Sequence, residues 1–243
     1  MAIVLPRARL GVVLSASNLC VEPYMRAHAP EALGIHVTRM HMASQVRADF
    51  EETAAESVEV ARLVAAAKVD AIDLQATGFV MSLGAEAEAR TVAAIEAATG
   101  IPAYTATQAL MEALQALSVS KLLLITPFDE GPTAEERAYI ESRGFAVAGA
   151  VALALGGGPV TAEIPHQAYV EAAKAHDGAA AEAIVLSGSN TTMVDAIEPI
   201  EAALGKPVLT SVQAALWAGI RRVKGKLGPF TPDPALGRLM ATL

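Results

Sequence analysis

Pro207-Val-Leu-Thr210-Ser-Val-Gln213-Ala214 restates Pro102-Ala-Tyr-Thr105-Ala-Thr-Gln108-Ala109 at a distance of 105 residues. Each copy runs from a proline and two apolar or aromatic residues through a threonine into a helical pattern, so one strand-to-helix turn occurs twice. Working outward, Ala71-Ile-Asp-Leu74 matches Ala183-Ile-Val-Leu186, and Arg9-Leu-Gly-Val-Val13 matches Lys121-Leu-Leu-Leu-Ile125, both at 112 residues. A shared offset over several elements is the mark of a duplicated unit. Its fall from 112 to 105 places a longer third connection in the first half.

Around these anchors, short apolar runs alternate with longer segments of i, i+3, i+4 apolar spacing, the pattern of βαβ units and a parallel sheet. Strands are expected at Leu10–Leu14, Ile35–Met40, Ala71–Leu74, Pro102–Tyr104, Leu122–Ile125, Phe145–Val151, Ala183–Leu186 and Pro207–Leu209. Helices are expected near Thr53–Ala67, Ala85–Ala98, Gln108–Leu117, Thr133–Arg143, Pro165–Ala175, Val194–Leu204 and Val212–Arg222. The fold class is α/β: two similar Rossmann-like domains related by a pseudo-twofold axis, each a four-stranded parallel sheet flanked by helices. The expected division is residues 1–117 plus 218–243 for the first domain and 118–217 for the second, with a ligand site between them.

Composition agrees. The 243 residues suffice for one large domain or two small ones, and 53% hydrophobic against 18% charged residues excludes a disordered chain. Aromatics are only 4%, so Ala, Val, Leu and Ile build the core, as in helices packed on a buried parallel sheet. A net charge of −8 argues against a nucleic-acid partner, whose phosphates need clustered cations. Pro6, Arg7 and Arg9 interrupt any apolar leader, and no long uncharged apolar run suggests a membrane span. The single cysteine, Cys20, cannot form an intrachain disulfide, which suits a cytoplasmic location.

In parallel sheets ligands bind beyond the carboxyl ends of the strands, where N–H groups and helix dipoles favour anions. The loops there are Ser15-Ala-Ser-Asn18, Ala76-Thr-Gly-Phe79, Thr126-Pro-Phe128, Ser187-Gly-Ser-Asn-Thr191 and the turns at Thr105 and Thr210. Nearly all of these residues are small, hydroxylic or amidic, a lining suited to a carboxylate.

Asn18 with Val21-Glu22-Pro23, Ala76-Thr77-Gly78, Thr126-Pro-Phe-Asp-Glu130, Ser187-Gly-Ser-Asn190 and Gly205-Lys-Pro-Val-Leu-Thr-Ser-Val-Gln213-Ala-Ala-Leu-Trp217 are together similar to the aspartate/glutamate racemase superfamily, in its maleate cis-trans isomerase and arylmalonate decarboxylase branch. The resemblance extends from about Arg9 to Arg222. It implies two α/β domains, a small carboxylate or dicarboxylate between them, no metal or organic cofactor, and a homodimer. It also implies cysteines after the third strand, the seventh, or both, where this chain has Ala76 and Gly188, and a tyrosine where it has Phe128. With no thiol at those positions, two-base racemisation and covalent addition to an alkene are closed by the family route.

What remains is a cradle of Asn18, Thr77, Gly78, Phe128, Gly188, Ser189, Asn190 and Thr210. Such donors can hold a carboxylate or an enediolate, each worth about 3 to 4 kcal/mol when well placed, but they cannot shuttle a proton. The candidate proton carriers are Cys20, which a helix N-terminus could activate, and His41, which follows a strand end and is the best-placed histidine for acid/base work. Glu22 and Tyr24 stand close by. The histidines, His28, His36, His41, His166 and His176, include no i, i+4 pair, so no metal site is expected. Gly156-Gly-Gly158 is followed by no Lys-Ser or Lys-Thr, and no G-x-G-x-x-G follows the first strand, so phosphate and dinucleotide loops are absent. The leading expectation is a cofactor-independent isomerase or lyase on a small carboxylate. Its rivals are a catalytically inactive carboxylate-binding protein and a variant whose reactive cysteines have been substituted.

Overall fold

The computed structural model describes residues 5–41, 50–156 and 158–243. Its elements run β1 Ala8–Ser15, α1 Val21–His28, β2 Leu33–Met40, α2 Phe50–Ala65, β3 Ala71–Gln75, α3 Thr77–Leu83, α4 Ala85–Thr99, β4 Ala103–Thr105 and α5 Ala106–Ala116. The second half continues with β5 Lys121–Thr126, α6 Glu130–Ser142, β6 Ala146–Ala152, α7 His166–His176, β7 Ala183–Leu186, α8 Ile197–Leu204, β8 Val208–Thr210, α9 Ser211–Leu227 and α10 Gly237–Met240. All eight expected strands form. They make two four-stranded parallel sheets with the same strand order, β2-β1-β3-β4 and β6-β5-β7-β8.

The duplicated Pro-x-x-Thr-x-x-Gln-Ala segment is a duplicated capping box. Thr105 Oγ1 accepts from Gln108 N at 2.9 Å and Gln108 Oε1 accepts from Thr105 N at 3.2 Å. The pair recurs as Thr210 and Gln213 at 3.1 and 3.0 Å. Each box satisfies orphan N–H groups at the start of the helix that follows the fourth strand of its half, α5 or α9. The offset falls by seven residues because β3 and β4 are joined by two helices, α3 and α4, whereas β7 and β8 are joined by the short 3-10 turn Met193–Ala196 and α8.

Two helices in the first half go beyond the expected set. The first, α1, carries Pro23 in its first turn, where a missing N–H costs nothing. The other, α3, is seven residues long and contains Gly78.

Helix α9 joins the halves. It packs on β1, β3, β8 and α5, and the expected division between residues 217 and 218 falls within it. A Cβ at Gly219 would stand 2.7 Å from Leu10 Cδ2 and 2.8 Å from the Tyr104 hydroxyl, so only glycine permits this approach to β1. Tyr104 donates to Ala215 O at 2.8 Å, while Arg222 lies 4.2 Å above the Tyr104 ring and pairs with Glu112 at 2.6 Å. Trp217 is fully buried and donates to Thr242 at 2.8 Å. Beyond α9 the proline-rich end packs back onto the fold: Gln213 Nε2 donates to Leu236 O at 2.6 Å, and Asp233 meets His28 at 2.7 Å. Among the described residues, no helix is long and apolar enough to cross a membrane.

Candidate functional site

The first post-strand loop is built around Asn18. Its Oδ1 accepts from Cys20 N at 3.1 Å and Val21 N at 2.9 Å, closing the start of α1. Arg39 of β2 donates to Asn18 O at 2.7 Å and reaches Glu22 at 3.1 Å, so Glu22 is held in an ion pair. With Oδ1 committed, the group Asn18 can still present to a ligand is its amide NH2, a donor suited to a carboxylate.

The corresponding loop of the second half meets it. Asn190 Oδ1 accepts from Leu19 N at 2.8 Å, across 171 residues of sequence. Tyr24 on α1 donates to Asp195, which follows the same loop. Thr161 holds Asn190 from behind, donating to its carbonyl at 2.7 Å. Asn18, Cys20, Ser189 and Asn190 therefore lie in two loops in direct contact. Gly188 has φ +150°, and a Cβ there would stand 3.1 Å from Thr191 Cγ2 and 3.4 Å from Pro127 Cδ. This brings the β7 loop against the β5 loop that carries the buried Phe128.

Thr77 and Gly78 open α3, which packs on α6 of the second half. The Thr77 hydroxyl is buried without a hydrogen-bond partner. Ala76 lines a small cavity with Met40, Phe79, Glu88 and Thr105; its free volume is about 10 Å³, room for one water. Tyr139 and Thr105 both donate to the buried Glu88 at its edge. Thr210 is fully buried, its hydroxyl engaged as the α9 cap, and the neighbouring Ser211 accepts from Gly188 N at 3.3 Å.

The two candidate proton carriers differ in setting. His41 is exposed at the end of β2, its backbone N–H donating to Glu56 at 2.6 Å. Cys20 is buried, and the helix N-terminus does not activate it. Desolvation, then the charge of Asp195, pushes its thiol above the ordinary range. Burial, with help from Cys20, likewise raises Tyr169, whose buried hydroxyl has no partner.

Three acidic groups at this level were not singled out by sequence reasoning: Glu88, Asp195 and Glu136. Glu136 carries the clearest signal, since it falls on the apolar face of α6 with Thr133, Tyr139 and Ile140, where an acid is costly. Its carboxyl is buried with neither oxygen hydrogen-bonded. Burial raises its pKa to about 7, offset in part by the Ser187 hydroxyl, although no hydrogen bond of ordinary geometry closes between them. No group of three or more metal-ligating side chains converges among the described residues.

Comparison with known proteins agrees with this architecture. The chain is 28% identical to an arylmalonate decarboxylase of Bordetella bronchiseptica over 175 residues, covering 69% of this chain and 70% of that protein. It is 26% identical to a maleate isomerase of Nocardia farcinica over 242 residues, covering 96% and 95%. A solved structure of the Nocardia farcinica maleate cis-trans isomerase bound to TRIS superposes with a TM-score of 0.87 at 25% identity, covering 96% of this chain and 97% of that one. The family model described as arylmalonate decarboxylase matches residues 7–235, so the chain belongs to that family.

Proposed function

We propose that the chain is a cofactor-independent isomerase or decarboxylase whose substrate is a small carboxylate or dicarboxylate held between the strand ends of its two halves. The observation that carries this reading is the Leu19 N to Asn190 Oδ1 bond at 2.8 Å. It joins the two amide-bearing loops, which supports a site that draws its donors from both halves. The Thr77 hydroxyl, buried and unpartnered, adds a donor whose desolvation a ligand oxygen would repay. A maleate isomerase matches 96% of the chain and an arylmalonate decarboxylase 69% of it, and donors of this kind would stabilise an enediolate formed on a small carboxylate. In this reading Asn18, Thr77 and the Gly188–Asn190 loop bind the anion, Phe128 forms an apolar wall, and Ala76 and Gly188 stand where the family places thiols.

Binding tests the cradle. Maleate, malonate and phenylmalonate at millimolar concentration should raise the melting temperature, because a ligand specific for the folded state adds RT ln(1 + [L]/Kd) to stability. Asn18→Ala and Thr77→Val should abolish the rise. No shift with any acid of the panel would refute the proposed site.

A further inference from the structure

With the usual thiols replaced by Ala76 and Gly188, the proposed reaction needs another proton source. Glu136 is 1% exposed, and neither carboxyl oxygen has a hydrogen-bond partner. The Ser187 hydroxyl that faces it is also buried without a partner. Ser187 ends the run from β7 and directly precedes Gly188, the position at which the family resemblance implies a thiol. Helix α6, which carries Glu136, packs against α3, whose first residue is the unpartnered Thr77. Three desolvated polar side chains thus come from elements that all begin or end at the proposed site. Each buried orphan costs stability.

Resting on the functional reading above, we propose that Glu136 is this chain's proton carrier, exchanging a proton with the reacting carbon through the Ser187 hydroxyl. In the decarboxylation direction the bond from the α-carbon to one carboxyl group breaks, and that group leaves as carbon dioxide. Its electron pair remains as an enediolate held by the cradle donors. The α-carbon takes the Ser187 proton while Ser187 takes the proton of Glu136, leaving a Glu136 carboxylate that water reprotonates before the next turnover. Run in reverse on a monoacid, the same relay exchanges an α-hydrogen with solvent.

The electrostatic setting suits this role. The elements packed against α6, namely α3 and β6, bring no ionisable side chain. The nearby acid of α4, Glu88, is engaged by Tyr139 and Thr105. On α6 itself Glu130, Arg137 and Glu141 are exposed and Glu135 is half-buried. Burial, offset in part by the Ser187 hydroxyl, therefore sets the carboxyl, and at about 7 it can both give and take a proton at neutral pH.

Other buried groups fit less well. Asp73 is equally desolvated but lies in mid-strand, in register with Val12 and Tyr104 rather than at a strand end. Cys20 has a raised thiol beside the Asp195 carboxylate.

The test uses the full chain and phenylmalonate in deuterium oxide, following product and α-deuterium by NMR, with thermal shift as the measure of binding. Glu136→Gln should keep the phenylmalonate shift and lose at least 100-fold in turnover. The rate of the parent should fall on the alkaline side near pH 7, where Glu136 loses its proton, and Glu136→Gln should lack that limb. Glu136→Asp should recover part of the rate with a displaced limb. Ser187→Ala should lose turnover while binding normally, and it carries the test if Glu136→Gln does not fold. Turnover within threefold of the parent in Glu136→Gln or Ser187→Ala would overturn the relay while leaving the functional reading intact. A parent that binds phenylmalonate, maleate and malonate but transforms none would overturn both.

Discussion

Asp73 should make the stability of this chain depend on pH. Its carboxyl sits in the centre of β3, fully buried, in register with Val12 on one side and Tyr104 on the other. Desolvation lifts its pKa from 3.8 to about 7, and the Gln75 amide and the Arg222 guanidinium, which favour the charged form, offset only part of this. The folded chain therefore retains a proton that the unfolded chain releases between those values. The resulting stabilisation is fully present below about pH 4 and disappears as pH rises through 7. At 1.36 kcal/mol per pKa unit, the whole window is worth about 4 kcal/mol, of which about 2.5 kcal/mol falls between pH 5 and pH 8. That is a large share of the ~5 to 15 kcal/mol that stabilises a typical protein. Asp73→Asn keeps the size and remains neutral throughout. Urea unfolding of parent and variant at pH 5 and pH 8 should show the parent losing about 2.5 kcal/mol more than the variant across the interval. Glu136, raised in the same direction, contributes to both chains and cancels in the comparison. Equal losses in the two proteins would show that Asp73 is solvated or paired when folded, and would refute the argument.

Other consequences are more local. Gln108→Ala removes only the side-chain half of the α5 capping box, the bond from Thr105 N, and should cost about 1 kcal/mol in denaturant titrations. Gln213→Ala also strips the bond to Leu236 O from a buried site and should cost about 2 to 4 kcal/mol. Gly188→Cys should destabilise by about 1 to 3 kcal/mol, because φ +150° and the 3.1 Å approach to Thr191 both oppose a side chain. Ala76→Cys, at φ −144° beside a small cavity, should be tolerated within about 1 kcal/mol in the same measurement. Chelators should leave folding and turnover unchanged; loss of activity restored by zinc would contradict the cofactor-independent reading.

The duplication was readable because it rests on local chemistry. A threonine and a glutamine three residues apart at the start of a helical pattern are the signature of a capping box, so the repeated Thr105–Gln108 and Thr210–Gln213 pairs mark equivalent turns from local sequence. Strands such as Ala183–Leu186 stood out because burial on both faces leaves an unbroken apolar run. The two short helices did not, since eight and seven residues give too little periodicity to set against Pro23 and Gly78. At the site, the loops carrying Asn18 and Asn190 could be named from sequence, but the direction of their hydrogen bonds could not. The Thr210 hydroxyl is a helix cap, a role that its spacing to Gln213 already encoded. Glu136 could have been found from its place beside Thr133, Tyr139 and Ile140 on the apolar face of α6, but it is the packing of α6 against α3 and β6 that buries it. The depressed thiol expected of Cys20 fails first because the fold buries it and then because Asp195, 175 residues away in sequence, meets α1 only in the fold.

The central claim is that the paired loops hold a small acid whose α-carbon is activated without a cofactor. Its most direct test is proton NMR of the purified, chelator-treated chain in deuterium oxide with maleate and phenylmalonate. Fumarate from maleate or α-deuterated phenylacetate from phenylmalonate is expected, and Asn18→Ala should abolish it. Binding of both acids with neither product, over times that would detect one turnover per hour, would contradict it.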